Sequence, residues 1–153
     1  MDIQKPARFR SFVLEQDLHD VLEWDKEMKR IDQRRYLRKK TKRALFKEYC
    51  TEPGGLFILE YDREKAGFLW LNTRYDEWKD DFYIYLHFVF VAPQFRGMGF
   101  GKLLMEKADE YTRQKGLKRL YLGTHGMNTR AHQFYKNAGY GPVWLNYEKR
   151  LPE

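Results

Sequence analysis

Apolar and polar positions fall into blocks of different period along the chain, and the blocks predict its elements. Ala7–Glu15 (ARFRSFVLE) is rich in β-favouring residues and reads as a first strand. From Asp17 to about Tyr49 the residues favour helix, with no proline or glycine, over a length too great for one ordinary helix. Two helices are predicted there, with a break near Lys29–Asp32. Pro53-Gly54-Gly55 then stops helix formation. Leu56–Tyr61 and Ala66–Leu71 read as the arms of a hairpin around Asp62–Lys65, and Asn72–Asp81 reads as a polar connection. Phe82–Val91 (FYIYLHFVFV) is almost continuously aromatic or β-branched, the pattern of a central strand buried on both faces.

Pro93 ends that strand, because it has no N–H for the ladder. A glycine-rich turn follows at Arg96–Gly101, and Leu103, Leu104, Lys107, Ala108 and Tyr111 then mark an amphipathic helix closed by Gly116. Leu117–Gly123 reads as a strand, Asn128–Asn137 as a short helix closed by Gly139, and Val143–Leu151 as a last strand. The order β-αα-β-β-β-α-β-α-β is that of an α/β domain with a mixed sheet and helices packed on its faces. One domain over residues 1–153 is expected from the length.

Composition narrows the class. A 42% hydrophobic share with 17% aromatic residues excludes disorder as a description of the whole chain. No apolar run approaches the roughly 20 residues of a membrane span. MDIQKPARFR has no apolar stretch behind its charges, so no secretory signal is read there. Cys50 is the single cysteine, which excludes a disulfide framework and a cysteine-rich zinc site, and no metal site is expected. A cytoplasmic protein without a membrane partner is the expectation.

The net charge is +7, and its distribution is uneven. Between Lys26 and Lys47 there are eleven basic residues and two acidic ones, a local excess larger than that of the whole chain. The segment reads either as a solvated helix face or as a surface attracting an anionic acceptor or nucleic acid. No recognised nucleic-acid module accompanies it, so nucleic acid is not the expected partner.

The turn Arg96-Gly97-Met98-Gly99-Phe100-Gly101-Lys102 carries the clearest chemistry. A turn that leaves a buried strand and opens a helix offers close backbone approach and the helix's unpaired first N–H groups, aided by the macrodipole. Arg96 and Lys102 add positive charge on either side. A P-loop requires a hydroxyl after Gly-Lys, and Leu103 stands there; a dinucleotide fingerprint requires a third glycine where Lys102 stands. Both nucleotide motifs fail on residues.

Arg96-x-x-Gly99-x-Gly101 after Val91-Ala92-Pro93 instead resembles the pyrophosphate loop of the GNAT superfamily of acyl-CoA N-acyltransferases. Leu120–Leu122, Asn128 and the run Ala131-His132-Gln133-Phe134-Tyr135-Lys136-Asn137-Ala138-Gly139-Tyr140 extend the resemblance, the last being similar to the family's A-x-x-x-Y-x-x-x-G-[FY] helix. The match is clear over about Phe82–Tyr140. It implies a mixed, mostly antiparallel central sheet with helices on both faces and a splay between the two central parallel strands. It further implies acetyl-CoA as co-substrate, its pantetheine arm paired with main-chain groups of Val89, Phe90 and Val91. The Val91 amide would act as an oxyanion donor, and the main-chain N–H groups of Gly97, Met98, Gly99, Phe100, Gly101 and Lys102 would hold the pyrophosphate. Asn128 would bond the pantetheine arm or, read from the residues alone, cap the helix after it.

Tyr135 stands at the family's general-acid position, and a phenol suits protonation of a departing thiolate. A core aromatic of an amphipathic helix is the other reading of that residue. For the general base, many relatives place a glutamate where Tyr85 or Gly123 stands here. His87 matches a histidine position of some amine-acetylating relatives, and strict alternation would set Tyr83, Tyr85, His87 and Val89 on one face. His125 and a water chain are the further choices, and a purely structural His87 is the competing reading. The resemblance thus implies an acetyl-CoA-dependent N-acetyltransferase in which a primary amine attacks directly through a tetrahedral intermediate. Aromatic strand residues favour a small amine, with a peptide or protein amine open; exposed sheet edges allow a homodimer. The alternative is a coenzyme-binding or nucleic-acid-associated module on the same fold without efficient transfer.

Overall fold

The computed structural model describes residues 6–153; residues 1–5, part of the stretch read above for a secretory signal, lie outside it. It resolves into two compact units, one ending at Gly123 and one running from Thr124 to Glu153, described here in turn.

In the first unit β1 (Arg8–Ser11) is followed by α1 (Leu14–Ile31) and α2 (Arg38–Thr51). The strand predicted over Ala7–Glu15 is shorter than expected because helix begins at Leu14. The buried Asp17 carboxylate takes the Val13 N–H at 2.7 Å and so satisfies one of the donors a helix start leaves unpaired. Glu15 and Asp17 lie in the first turn of α1 and Lys29 and Arg30 in its last, the arrangement the helix dipole favours. The predicted break falls just after Ile31, where Gln33 takes a positive φ of 55°.

β2 (Leu56–Tyr61) and β3 (Glu64–Asp76) form the predicted hairpin, tightened to a two-residue turn in which Asp62 and Arg63 both have positive φ. β3 runs through Asn72–Asp76, so the expected polar connection is mostly strand. It pairs with β4 (Asp81–Val91) from Gly67↔Val91 to Asp76↔Asp81. α3 (Phe100–Gln114) and β5 (Leu120–Tyr121) complete the unit. Strand order is β1-β2-β3-β4-β5; every pairing is antiparallel except β4 with β5.

Helices cover both faces of this sheet. On one, Phe12, Val21 of α1 and Leu45 of α2 cluster with Leu56, Ile58, Phe68 and Trp70, and Trp24 stacks on Phe90 at 5.6 Å. On the other, Leu104 and Tyr111 of α3 meet the strands, with Phe57 and Tyr111 edge to face at 5.8 Å. Fully buried Leu59, Leu69, Leu71 and Ile84 line that side. Mixed sheet, bilateral helices and predominantly antiparallel order agree with the fold expected.

In the second unit α4 (Thr129–Asn137) is capped by Asn128, whose side chain accepts the Ala131 N–H at 3.1 Å. Val143–Leu151 does not form the predicted strand. Val143, Trp144, Leu145, Tyr147 and Leu151 are exposed, and no ladder among the described residues includes them. β propensity expresses fit to a half-buried pleated surface, and these side chains have none to fit.

Candidate active site

β4 changes its pairing at His87. Trp70 opposes Phe88 and Leu71 opposes Leu86, which leaves His87 as the extra residue of a β-bulge. The bulge overturns the expected common face of Tyr83, Tyr85, His87 and Val89. Tyr83 and Tyr85 pair with Arg74 and Asn72, on the face that also carries Trp70, Phe88 and Phe90; Val89 pairs with Leu69 on the opposite face. A one-residue slip moves everything beyond it to the other side.

The same slip turns the backbone. Near the start of β4 the Ile84 N–H donates to Arg119 C=O at 3.0 Å, so even-numbered residues point toward β5. At the far end the Ala92 N–H donates to Ala66 C=O at 2.8 Å, toward β3. Peptide groups alternate along a strand, so Phe90 also faces β3, while Val89 and Val91 turn their N–H and C=O groups outward. β5 pairs only with Ile84 and Tyr85, and beyond them no described strand continues the ladder. The two parallel strands therefore part beyond Tyr85, and of the three residues predicted for the pantetheine arm Val89 and Val91 turn their main-chain groups to the open side, whereas those of Phe90 are turned to β3.

At the end of that stretch the Arg96 side chain folds back, its Nε donating to Val91 C=O at 3.0 Å with its guanidinium over Phe90. Gly97 and Gly99 both have left-handed φ, 80° and 83°. Gly99 is the N-cap of α3 and makes no side-chain cap, and the first turn of α3 contains no acidic residue. The N–H groups of Phe100, Gly101 and Lys102 therefore open the helix without the usual carboxylate or hydroxyl partner, next to two cations. This backbone suits a diphosphate, and the open strand edge suits an extended amide-bearing arm. Coenzyme A carries both groups.

On the helix-covered face beside the bulge lies a polar cluster that strand patterning could have located. Trp70, Asn72 and Arg74 alternate along β3, a period-2 signal hidden when Asn72–Asp81 is read as a connection. Asn72 Nδ2 donates to Glu48 of α2 at 3.3 Å, and Arg74 Nε donates to Asn72 Oδ1 at 3.2 Å. The Arg74 guanidinium lies 3.7 Å from the Tyr85 ring centroid. Burial pushes the Glu48 carboxyl up, outweighing the opposing pull of Asn72, and the nearby Glu52 carboxylate adds to the rise. Tyr85 Oη lies 3.5 Å from where a Cβ on Gly123 would sit, so the two positions considered above for a carboxylate base are neighbours here.

His87 is exposed, and one side of its ring packs on Trp70 at a centroid distance of 4.0 Å. Desolvation in this crowded setting, with repulsion from Arg74 and Lys29 against the attraction of Asp25, pushes its pKa down to about 4. With that shift His87 is a neutral imidazole at pH 7.

In the second unit Tyr135 is half-buried, edge to face with Phe134 at 5.4 Å and Tyr140 at 5.9 Å. Asn128 is the cap anticipated as one of its two readings. His125 is exposed, and its Nδ1 accepts the Met127 N–H at 3.2 Å, a local turn contact. No cluster of metal-ligating side chains occurs among the described residues, and no helix among them is long and apolar enough to cross a membrane.

A family model, Acetyltransferase (GNAT) family, matches residues 18–140. An uncharacterised N-acetyltransferase of Methanocaldococcus jannaschii is 32% identical over 152 residues, covering 91% of this chain; the chain spans 65% of that protein's length. The thialysine N-epsilon-acetyltransferase of Bos taurus is 37% identical over 65 residues, 42% of this chain and 38% of the bovine one. Among solved structures, the ribosomal-protein-alanine N-acetyltransferase of Brucella melitensis superposes with a TM-score of 0.72 over 95% of this chain and 99% of its own, at 13% identity, a likeness of fold.

Proposed function

The chain belongs to the GNAT family of acetyltransferases, and on that premise we propose that it moves an acetyl group from acetyl-CoA to the primary amine of a small acceptor. The observation that carries this reading is the continuity of two features: an unladdered edge at Val89–Val91 and an uncapped helix start at Gly99–Lys102, joined by one turn. Acetyl-CoA supplies a thioester activated toward amines. The chain's part is to grip and orient it. The amides of Gly97–Lys102 bind the diphosphate, with Arg96 and Lys102 adding charge. Val89 and Val91 pair with the arm, and the Val91 N–H faces the thioester oxygen, where negative charge grows during transfer. A preorganised donor of this kind is worth about 3–4 kcal/mol in other enzymes.

Tyr135 donates its phenolic proton to the coenzyme sulfur as the acyl group leaves. The neutral His87 offers a ring nitrogen to the acceptor amine, and solvent at its accessible edge takes the surplus proton. The bovine relative's name supports a small amine over a protein one.

The test is an acetylation screen of purified protein with acetyl-CoA over a library of small amines, run beside the Tyr135→Phe variant. Transfer to at least one amine is expected, with turnover of the variant lowered about a hundredfold and coenzyme affinity unchanged. Equal turnover by Tyr135→Phe would remove it from the acid role. Coenzyme binding without transfer to any amine would make the chain a coenzyme-binding module.

A further inference from the structure

Arg74 is a half-buried cation with no carboxylate within ion-pair distance among the described residues. This sets it apart from the half-buried Arg10 of the same unit, which engages Asp17 and Glu60, and from Arg119, which engages Asp76. Its guanidinium carbon lies over the Tyr85 ring and its Nε is committed to Asn72, so the group is held from two sides while its two terminal nitrogens make no hydrogen bond with the described residues. Glu48 is near enough to feel its charge but is itself bonded to Asn72. A planar fork of donors in fixed orientation matches a carboxylate in two-point geometry, and the partly dry setting makes an unmatched cation costly.

The surroundings of this guanidinium say what else the ligand carries. Tyr85 and His87 lie side by side on β4, ring centroids 6.1 Å apart, and Trp70 backs His87. Trp70, Asn72 and Arg74 alternate along β3 on this face, and Glu48 reaches it through its bond with Asn72. A cation and a carboxyl group are thus presented on one face of the sheet, both bonded to Asn72.

We propose that Arg74 binds the carboxylate of the acceptor, and that the acceptor is a small aminocarboxylate. The proposal rests on the transferase reading for its amine end, whereas its anion end stands on Arg74 alone. Asn72 and Tyr85 are positioning residues for that guanidinium.

Binding rather than turnover tests it. Calorimetric titrations with and without coenzyme A compare glycine with methylamine, 4-aminobutanoate with propylamine, and lysine with 1,5-diaminopentane, each pair differing by one carboxylate. At least one acid is expected to bind about tenfold or more tightly than its decarboxylated partner. Arg74→Gln should erase that preference, Arg74→Lys should recover part of it, and coenzyme A affinity should stay unchanged in both. Equal affinity within every pair, no binding of any acid, or a preference that survives in Arg74→Gln would overturn the proposal. Failure to bind coenzyme A, with the preference intact, would instead count against the transferase reading and leave the anion site standing.

Discussion

His87 rests against Trp70 with ring centroids 4.0 Å apart, at the point where β4 carries one residue more than β3. The contact ties the bulge to the acid–base character of the imidazole. A pKa of about 4 lies below that of an unfolded histidine, so the folded state resists protonation. Stability from this group is complete above the unfolded value near 6.5 and is lost as pH falls toward the folded one. Denaturation midpoints are expected to fall between about pH 6.5 and 4, and to fall less in His87→Gln. In the pH–rate profile of transfer the same variant should leave the shape between about pH 6 and 8 unaltered. A limb that disappears with His87 in that interval would place its pKa near neutrality.

Asp17 anchors the start of α1. Its carboxylate takes Arg10 Nη1 and Nη2 at 2.7 and 2.8 Å, the Val13 N–H at 2.7 Å and Lys65 Nζ at 3.1 Å, with its own side chain fully buried. Burial alone would raise its pKa, but these donors together hold it below the usual carboxylate range. Asp17→Asn should cost about 3 kcal/mol in urea denaturation, since it leaves Arg10 and Lys65 without their shared partner. Stability contributed by the ionised carboxylate is present above its unfolded pKa and declines as pH drops through the lower folded value, a decline the variant should not show.

Gly99 separates stability from binding. Its φ of 83° strains any L side chain, yet a Cβ there would meet nothing within 4 Å. Gly99→Ala should therefore cost about 1–2 kcal/mol. Gly99→Glu should cost a similar amount of stability while abolishing calorimetrically detectable coenzyme A binding, because it places a carboxylate where the diphosphate would lie. Normal affinity in that variant would remove the turn from the binding site.

Gly55 is confined by space. A Cβ there would collide with Leu71 C=O, a backbone group of a fully buried residue that has no free direction of retreat. Gly55→Ala should destabilise the fold by about 3 kcal/mol or more, read from the denaturation midpoint.

What the sequence revealed, and what it hid, follows from how each feature is encoded. The turn at Gly97–Gly99 was legible because a left-handed backbone demands a residue type, and glycine at alternate positions leaves few other readings. The bulge at His87 was not, since FYIYLHFVFV is apolar at nearly every position and offers no alternation for a slip to interrupt. The extension of β3 through Asn72–Asp76 was masked by polar side chains, although Trp70, Asn72 and Arg74 share a face. Reading those residues as loop also hid Glu48 and Arg74, which are linked through Asn72 only once α2 and β3 are packed together. Val143–Leu151 carries strand propensity but joins no ladder among the described residues, which local sequence does not record.

The central claim concerns particular amides, and amide resonances report on them one by one. Proton–nitrogen spectra of labelled protein, taken with and without saturating coenzyme A, should show the largest shifts at Val89, Val91 and Gly99–Lys102. Phe90, whose N–H is turned toward β3, should move less than its two neighbours. Binding that leaves these outward amides in place while displacing resonances elsewhere would contradict the account.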